Sequence, residues 1–342
     1  MLSFLALCVE VCCLSRVLIT GITGMAGSHL ADYILSNHSD MEVYGARRWR
    51  SPHNNVSHIE DQINLIDCDL TDPSGCIELL KVVKPSYIFH LAAQSFVPDS
   101  WKNPQATLSD NIMMQLNLFE AIRHLELDPV VQVALSSEEH GRVYPHELPI
   151  SEKNPFRPLS PYAVSKVAQD MLAYQYFDSH KLRVIRTRAF NHEGPRRGEV
   201  FVTSNFAKQV AEIEAGLAPP VLKVGNLSTK RDWTDVRDVV RAYWLSVHHC
   251  TPGEDYVIAS GTAHSIREMV DFLLSQSKVK IQVEIDPARV RSGDVEVIEG
   301  DPRKFKAATG WAPELTFEDM ILDMLDYWRD LVKTRQRRKL SI

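Results

Sequence analysis

The run Val17-Leu-Ile-Thr20, followed at once by Gly21-Ile-Thr-Gly24-Met-Ala-Gly27, restricts this chain more than any other stretch. A short apolar, β-branched run bounded by glycine reads as a buried strand. Ser28-His-Leu-Ala-Asp-Tyr-Ile-Leu35 then repeats apolar residues at helical spacing. Strand, glycine-rich turn and helix in that order make a site for the phosphates of a dinucleotide. The glycines permit a tight turn and close backbone approach, and the helix N-terminus faces the pyrophosphate. Gly21, Thr23, Gly24, Met25 and Gly27 are the first cofactor-binding candidates. Their spacing is G-x-x-G-x-x-G, not the G-x-G-x-x-G of ordinary dehydrogenases.

The next strand, Glu42-Val-Tyr-Gly45, ends in Ala46-Arg47-Arg48-Trp49-Arg50. This lies about 20 residues past the turn, where an NAD enzyme places Asp or Glu for the ribose 2′-hydroxyl. Arg47 and Arg48 instead offer guanidinium groups that match a 2′-phosphate. The expected cofactor is therefore NADP.

Alternation continues along the chain. Ile63–Asp67 reads as a strand ending at Cys68-Asp69-Leu70, which places an acidic group near the adenine. Pro73–Val83 reads as a helix, and Tyr87–Ser95 as a strand running into the small residues of Leu91-Ala92-Ala93-Gln-Ser95. Thr107–Leu125 reads as a helix, then Val130–Leu135 as a strand that delivers Ser136-Ser-Glu138-Glu-His140-Gly141. Repeated β and α units predict an α/β fold with a doubly wound parallel sheet, its ligands beyond the carboxyl ends of the strands. Ser95, Ser136 and Glu138 all fall on that edge.

Ser160-Pro-Tyr162-Ala-Val-Ser-Lys166 opens the next helix, and Pro161 suits its first position. Tyr162 and Lys166 then share one face at i and i+4. A free phenol titrates near pH ~10, and an adjacent ammonium stabilises its phenolate. Such a phenolate can take a hydroxyl proton while hydride leaves the same carbon. A Tyr-x-x-x-Lys alone describes many solvated helix faces; its position after the dinucleotide turn makes Ser136, Glu138, Tyr162 and Lys166 the catalytic candidates.

These residues carry a resemblance. Gly21/Gly24/Gly27, Leu91-Ala-Ala, Ser136 and Tyr162/Lys166 resemble the extended short-chain dehydrogenase/reductase family of nucleotide-sugar enzymes. Within it the chain is most similar to the GDP-mannose 4,6-dehydratases and their sister GDP-4-keto-6-deoxymannose reductases, over about residues 16 to 332. Phe190-Asn-His-Glu-Gly-Pro-Arg-Arg-Gly198 resembles the dehydratases' Asn-His-Glu-Ser-Pro-Arg-Arg-Gly loop, and Gly225–Trp233 their Gly-Asn-Leu…Lys-Arg-Asp-Trp stretch. The resemblance implies a Rossmann-type domain over 16–190, with 221–260 returning to it, and a smaller substrate domain from 191–220 and 261–335. It implies His192 at the cofactor, and Ser95, Asn191, Arg197, Arg231, Arg291 and Asp294 at a GDP-hexose. Arg231 and Arg291 would take phosphate and Asp294 ribose hydroxyls. It also implies a lyase acting through internally recycled NADP, in a homo-oligomer (dimer or tetramer).

The chain departs from the dehydratase pattern in places. Ser136 stands for Thr, His140 for Tyr, and Ser204-Asn205 for a basic pair, which bears on guanine selectivity. The C-terminal third, with Val279-Lys-Ile281 and Asp286–Arg289, resembles the reductases more. A 4-keto reductase is the chief alternative, because it would use the same Tyr162, Lys166 and cofactor. Glu138 does not settle the choice, since the reductases also resemble Ser-Ser-Glu-Glu here. A C4 epimerase and a silent NADP-binding protein follow.

Composition narrows the partners. Net charge is −6 with no broad basic excess, which argues against nucleic acid. Six scattered cysteines fit neither a disulfide framework nor zinc spacing, so a reducing cytoplasm is expected. The apolar residues 1–15 lack a basic start and contain Glu10, so they read as a non-essential leader and not a signal peptide. No other segment reads as a membrane span. Phe317–Val332 reads as a closing amphipathic helix, with Met320, Leu325 and Trp328 as core, and 336–342 as a basic tail.

Overall fold

A computed structural model describes residues 14–289 and 295–340. The expected leader lies mostly outside them, and Arg291 and Asp294 lie wholly outside them. Within the described residues the strands are β1 (Ser15–Thr20), β2 (Met41–Arg47), β3 (Asn64–Asp67), β4 (Tyr87–His90), β5 (Val130–Ser136), β6 (Val184–Ala189), β7 (Asn191–Glu193), β8 (Val221–Val224), β9 (Lys230–Asp235), β10 (Asp255–Ile258), β11 (Ala263–Ser265), β12 (Gln282–Ile285) and β13 (Val297–Ile298). The helices are α1 (Met25–Asn37), α2 (Pro73–Val83), α3 (Val97–Lys102), α4 (Pro104–His124), α5 (Pro161–His180), α6 (Val202–Glu214), α7 (Val236–His249), α8 (Ile266–Ser275), α9 (Arg303–Thr309) and α10 (Phe317–Leu340).

Seven strands form one parallel sheet in the order β10-β6-β5-β4-β1-β2-β3. The order reverses at β1, between β2 and β4, and a crevice opens there beyond the carboxyl ends of both strands. Alternate side chains of β1 feed opposite faces, as strand geometry requires. Val17 and Ile19 pack with α1 and α7, whereas Leu18 packs with α2, α4 and the α5 residues Ala173 and Tyr176. All three are fully buried, which is why this stretch reads as unbroken apolar sequence.

A second body sits over the carboxyl edge. β7, β11 and β13 all pair with β9, and β8 pairs with β12. Their core is closed by α6, α8 and α10, with Met320 and Leu325 fully buried and Trp328 nearly so. Thus α7 and β10 join the large sheet, while β8 pairs within the smaller body.

Several boundaries differ from expectation. The strand expected over Tyr87–Ser95 ends at His90, because Thr20 takes the next two amides out of the ladder: its Oγ1 accepts from Leu91 N and Ala92 N, both at 3.1 Å. The basic residues expected to be a tail continue α10 to Leu340. Arg, Gln and Lys are good helix formers, and Gln336 anchors that stretch by donating to the Ala215 carbonyl at 3.3 Å.

Candidate active site

Every expected site residue among the described ones lines a single cleft of about 1330 Å³ at the carboxyl edge of the large sheet. At its floor the glycine turn is dictated by sterics. Gly21 has φ +68°, and a Cβ there would lie 3.0 Å from the Ala92 backbone. A Cβ on Gly27 would fall 2.5 Å from the Gly21 carbonyl oxygen. Helix α1 begins just beyond, with no side chain capping its N-terminus, so its first amides remain available to an anion. This cradle fits the pyrophosphate of a dinucleotide, with Thr23 and Met25 on its rim.

The arginine pair at the end of β2 is less symmetric than its sequence. Arg47 Nε donates to Asp67 Oδ1 at 2.9 Å, and its Nη1 rests against the His53 ring. Arg48 is exposed at the cleft mouth. Arg47 is thus partly neutralised, and Arg48 is the better placed of the two for an incoming phosphate. Asp69, which lines the cleft with Leu70, accepts from Thr71 N at 3.0 Å and Thr71 Oγ1 at 2.7 Å. These bonds hold its carboxyl below the usual range. Leu91, Ala92, Ala93 and Ser95 form the wall from the end of β4 onward.

Helix α5 enters the cleft at its capped N-terminus, where Ser160 Oγ accepts from Ala163 N at 3.1 Å. The Lys166 ammonium donates to the Ala134 carbonyl at 2.8 Å and lies 6.0 Å from the Tyr162 ring centroid. Burial lowers Lys166 to about 8. The expected lowering of Tyr162 by Lys166 is not what this geometry produces. Burial pushes the phenol above its ordinary value, a hydrogen bond from the Ser136 hydroxyl works against that rise, and the Glu138 charge adds to it. The spacing of Tyr162 and Lys166 is local to one helix, whereas desolvation depends on everything packed around it. Glu138 is half-buried on the same wall, one tight turn from Ser136, whose Oγ accepts from Glu138 N at 3.2 Å.

The opposite wall comes from the smaller body. Asn191 and His192 lie on β7, and Nδ1 of His192 is 3.0 Å from the Phe190 carbonyl. Burial lowers His192 to about 4 and keeps it neutral. Arg197 is ion-paired with Glu193 at 3.1 Å and lies over the Phe201 ring. Arg231 donates to the Val295 carbonyl at 2.8 Å while facing the cleft.

The family model described as GDP-mannose 4,6 dehydratase matches residues 18–324. The chain belongs to the GDP-mannose 4,6-dehydratase family. A relative named GDP-mannose 4,6-dehydratase, from Vibrio cholerae, is 34% identical, over 95% of this chain and 96% of its own. One named GDP-6-deoxy-D-mannose reductase, from Pseudomonas aeruginosa, is 31% identical, over 93% and 98%. The solved structure of RMD from Pseudomonas aeruginosa complexed with NADPH superposes with a TM-score of 0.82 at 30% identity, covering 93% of this chain and 99% of that one.

Two supports of this family site escaped the sequence reading. Thr20, at the end of β1, ties β4 to the glycine turn through the amides described above and lies 3.1 Å from His90 Nδ1. Asn111 on α4 is fully buried. Its Oδ1 accepts from Gln94 N at 2.8 Å, and its Nδ2 donates to Ser165 Oγ at 2.9 Å, bracing α5 beside Lys166. The available signal was a polar residue interrupting a buried helical face, since such a residue must find partners.

Proposed function

We propose that this protein is an NADP-dependent GDP-mannose 4,6-dehydratase that converts GDP-mannose to GDP-4-keto-6-deoxymannose with loss of water. The observation that carries the reading is the match of residues 18–324 to the GDP-mannose 4,6 dehydratase family, and it is supported by Glu138, a carboxylate on the same cleft wall as Ser136, Tyr162 and Lys166. Oxidation at C4 alone needs no such second base; elimination across C5 and C6 does.

NADP held in this cleft would supply the chemistry of hydride acceptance and return. Tyr162 Oη takes the proton from the sugar O4, aided by the Ser136 hydroxyl. The Lys166 ammonium, anchored on the Ala134 carbonyl, supplies positive charge on the phenol's side of the cleft. A ketone at C4 acidifies the proton at C5; the Glu138 carboxylate removes it and hands it to the C6 hydroxyl, which leaves as water. C6 would then take the returning hydride, while C5 takes a proton from solvent in exchange for the one Tyr162 releases. Arg231 and Arg197 lie where they would hold phosphate and sugar, and Arg291 with Asp294 would complete that hold. Gly21, Gly24 and Gly27 with Arg48 and Arg47 would hold NADP.

The large sheet is the cofactor domain in this reading, and the body built on β9 is the nucleotide-sugar domain. Among the described residues no helix is long and apolar enough to cross a membrane. The protein works in the cytoplasm as a homo-oligomer; exposed Val164, Met171 and Tyr174 on α5 support self-association.

The second reading is a 4-keto reductase, favoured by the likeness to the Pseudomonas aeruginosa reductase. Incubating the purified protein with GDP-mannose and no added NADPH separates the two. A dehydratase yields a product lighter by one water, whereas a reductase leaves GDP-mannose intact and turns over only a 4-keto sugar with NADPH supplied.

A further inference from the structure

Beneath the catalytic turn lies a set of buried charges that the proposed reaction does not use. Glu139 and Asp170 are fully buried, and Arg188 nearly so. Oε1 of Glu139 accepts from the Ser136 backbone N–H at 2.9 Å, closing the turn that carries Ser136 and Glu138. Asp170 lies on α5, one helical turn beyond Lys166 and two beyond Tyr162. Arg188 Nε donates to Asp170 Oδ2 at 2.7 Å and stands 3.4 Å from Glu139 Oε2. One guanidinium from β6 therefore faces a carboxyl of the turn and a carboxyl of the catalytic helix.

The charges do not balance with all carboxyls ionised. Arg186 donates to Asp170 Oδ1 at 2.5 Å, and Arg188 Nη1 pairs with Asp255 at 2.6 Å. These two cations are matched by Asp170 and Asp255, and Lys304, 3.6 Å from Asp255 at the rim, is taken up by Glu254 at 2.7 Å. Lys166 is held on the Ala134 carbonyl, and Glu152 is occupied by Val257 N–H at 2.8 Å. His140, next in the chain, is kept neutral by burial. Glu139 is left as a third carboxyl, and its buried Oε2 receives no N–H or O–H donor among the described residues. Burial and the neighbouring Asp170 charge both push its pKa well above the usual carboxylate range.

We propose that Glu139 is a positioning residue acting as a neutral acid. Its Oε1 accepts from Ser136 N–H while the proton on Oε2 is donated to Asp170, locking the Ser136–Glu138 turn to the helix that carries Tyr162 and Lys166. A shared proton between two buried carboxyls satisfies both without a further cation. It also helps fix the distance between the C5 base and the O4 base, which lie on separate elements, alongside the Arg188 guanidinium that faces both carboxyls.

The test compares Glu139→Gln with Glu139→Leu in the full-length protein. Glutamine keeps an acceptor for Ser136 N–H and supplies an N–H to Asp170; leucine keeps neither. Glu139→Gln is expected to hold kcat and KM within about threefold of native, whereas Glu139→Leu lowers kcat about 10²-fold with KM nearly unchanged, as misplacement of reacting groups does. Amide exchange at Ser136–Gly141 should accelerate in Glu139→Leu alone. Infrared difference spectra near neutral pH should show a carboxylic-acid carbonyl band in the native protein that Glu139→Gln lacks. If no such band is lost, or if Glu139→Gln falls as far as Glu139→Leu, the bridge is wrong. The turnover arm rests on the dehydratase reading, but the infrared and exchange arms need no substrate. Inactivity of the native protein on GDP-mannose therefore counts against that reading, while the bridge stands or falls on the band.

Discussion

The Lys166 ammonium is satisfied by the Ala134 carbonyl at 2.8 Å, and it meets Tyr162 only across 6.0 Å to the ring centroid. The ammonium therefore gives its hydrogen bond to the backbone and faces the phenol ring only at that distance. Because burial lowers Lys166 to about 8, its charge is present below that pH and is lost above it. We expect kcat/KM, which reports the free enzyme, to fall as pH rises through about 8. A flat profile across that window, measured under saturating NADP, would show that Lys166 stays charged or does not matter.

Elimination in the proposed reaction needs a base at C5, the role proposed for Glu138. Glu138→Gln should lower product formation by ~10²–10⁴-fold, the usual contribution of a positioned acid or base. The variant should also stop washing solvent deuterium into C5, while Tyr162→Phe should abolish the preceding oxidation as well. Dehydration by Glu138→Gln at the native rate, followed by mass spectrometry, sinks the assignment of this base.

The two arginines should not contribute equally to cofactor choice. Arg47 already serves Asp67, whereas Arg48 is exposed at the cleft mouth. Arg48→Ala should weaken NADP by about 1.5–3 kcal/mol, or roughly 10- to 100-fold, and Arg47→Ala by less. Affinity for NAD should hardly change in either variant. Titration of each variant with both cofactors checks the order, and equal native affinity for NAD and NADP removes the basis for it.

Stability should fall in mild acid. Burial depresses His90 to about 3 and His29, His140 and His192 to about 4. Between those values and the unfolded value of about 6.5, the unfolded chain binds protons that the native state refuses. Native stability is therefore full above that upper value and declines as pH drops, by about 1.4 kcal/mol per pH unit for each histidine. Chemical denaturation from neutral pH downward should show the loss, and His140→Phe should reduce its slope. An unchanged midpoint across this window contradicts the burial argument.

Glycine spacing, strand-like apolar runs and the i, i+4 placement of Tyr162 and Lys166 were legible because each depends on neighbours within a few residues. A Cβ at Gly27 meets the Gly21 carbonyl whatever the rest of the chain does, and Pro161 starts a helix by its own geometry. The parallel sheet followed from the alternation of such local units, and the edge that holds Ser136 and Glu138 followed from the sheet. Pairings across the fold were not legible. Asp67 reaches Arg47 through the register of β3 on β2, Asn111 reaches Ser165 across 54 residues, and Arg188 meets Asp170 and Glu139 only where β6, α5 and the catalytic turn converge. The acidity of Tyr162 belongs to the same class. Its spacing to Lys166 is a property of one helix, but desolvation is imposed by every element packed around it, and that sum exists only in the folded chain.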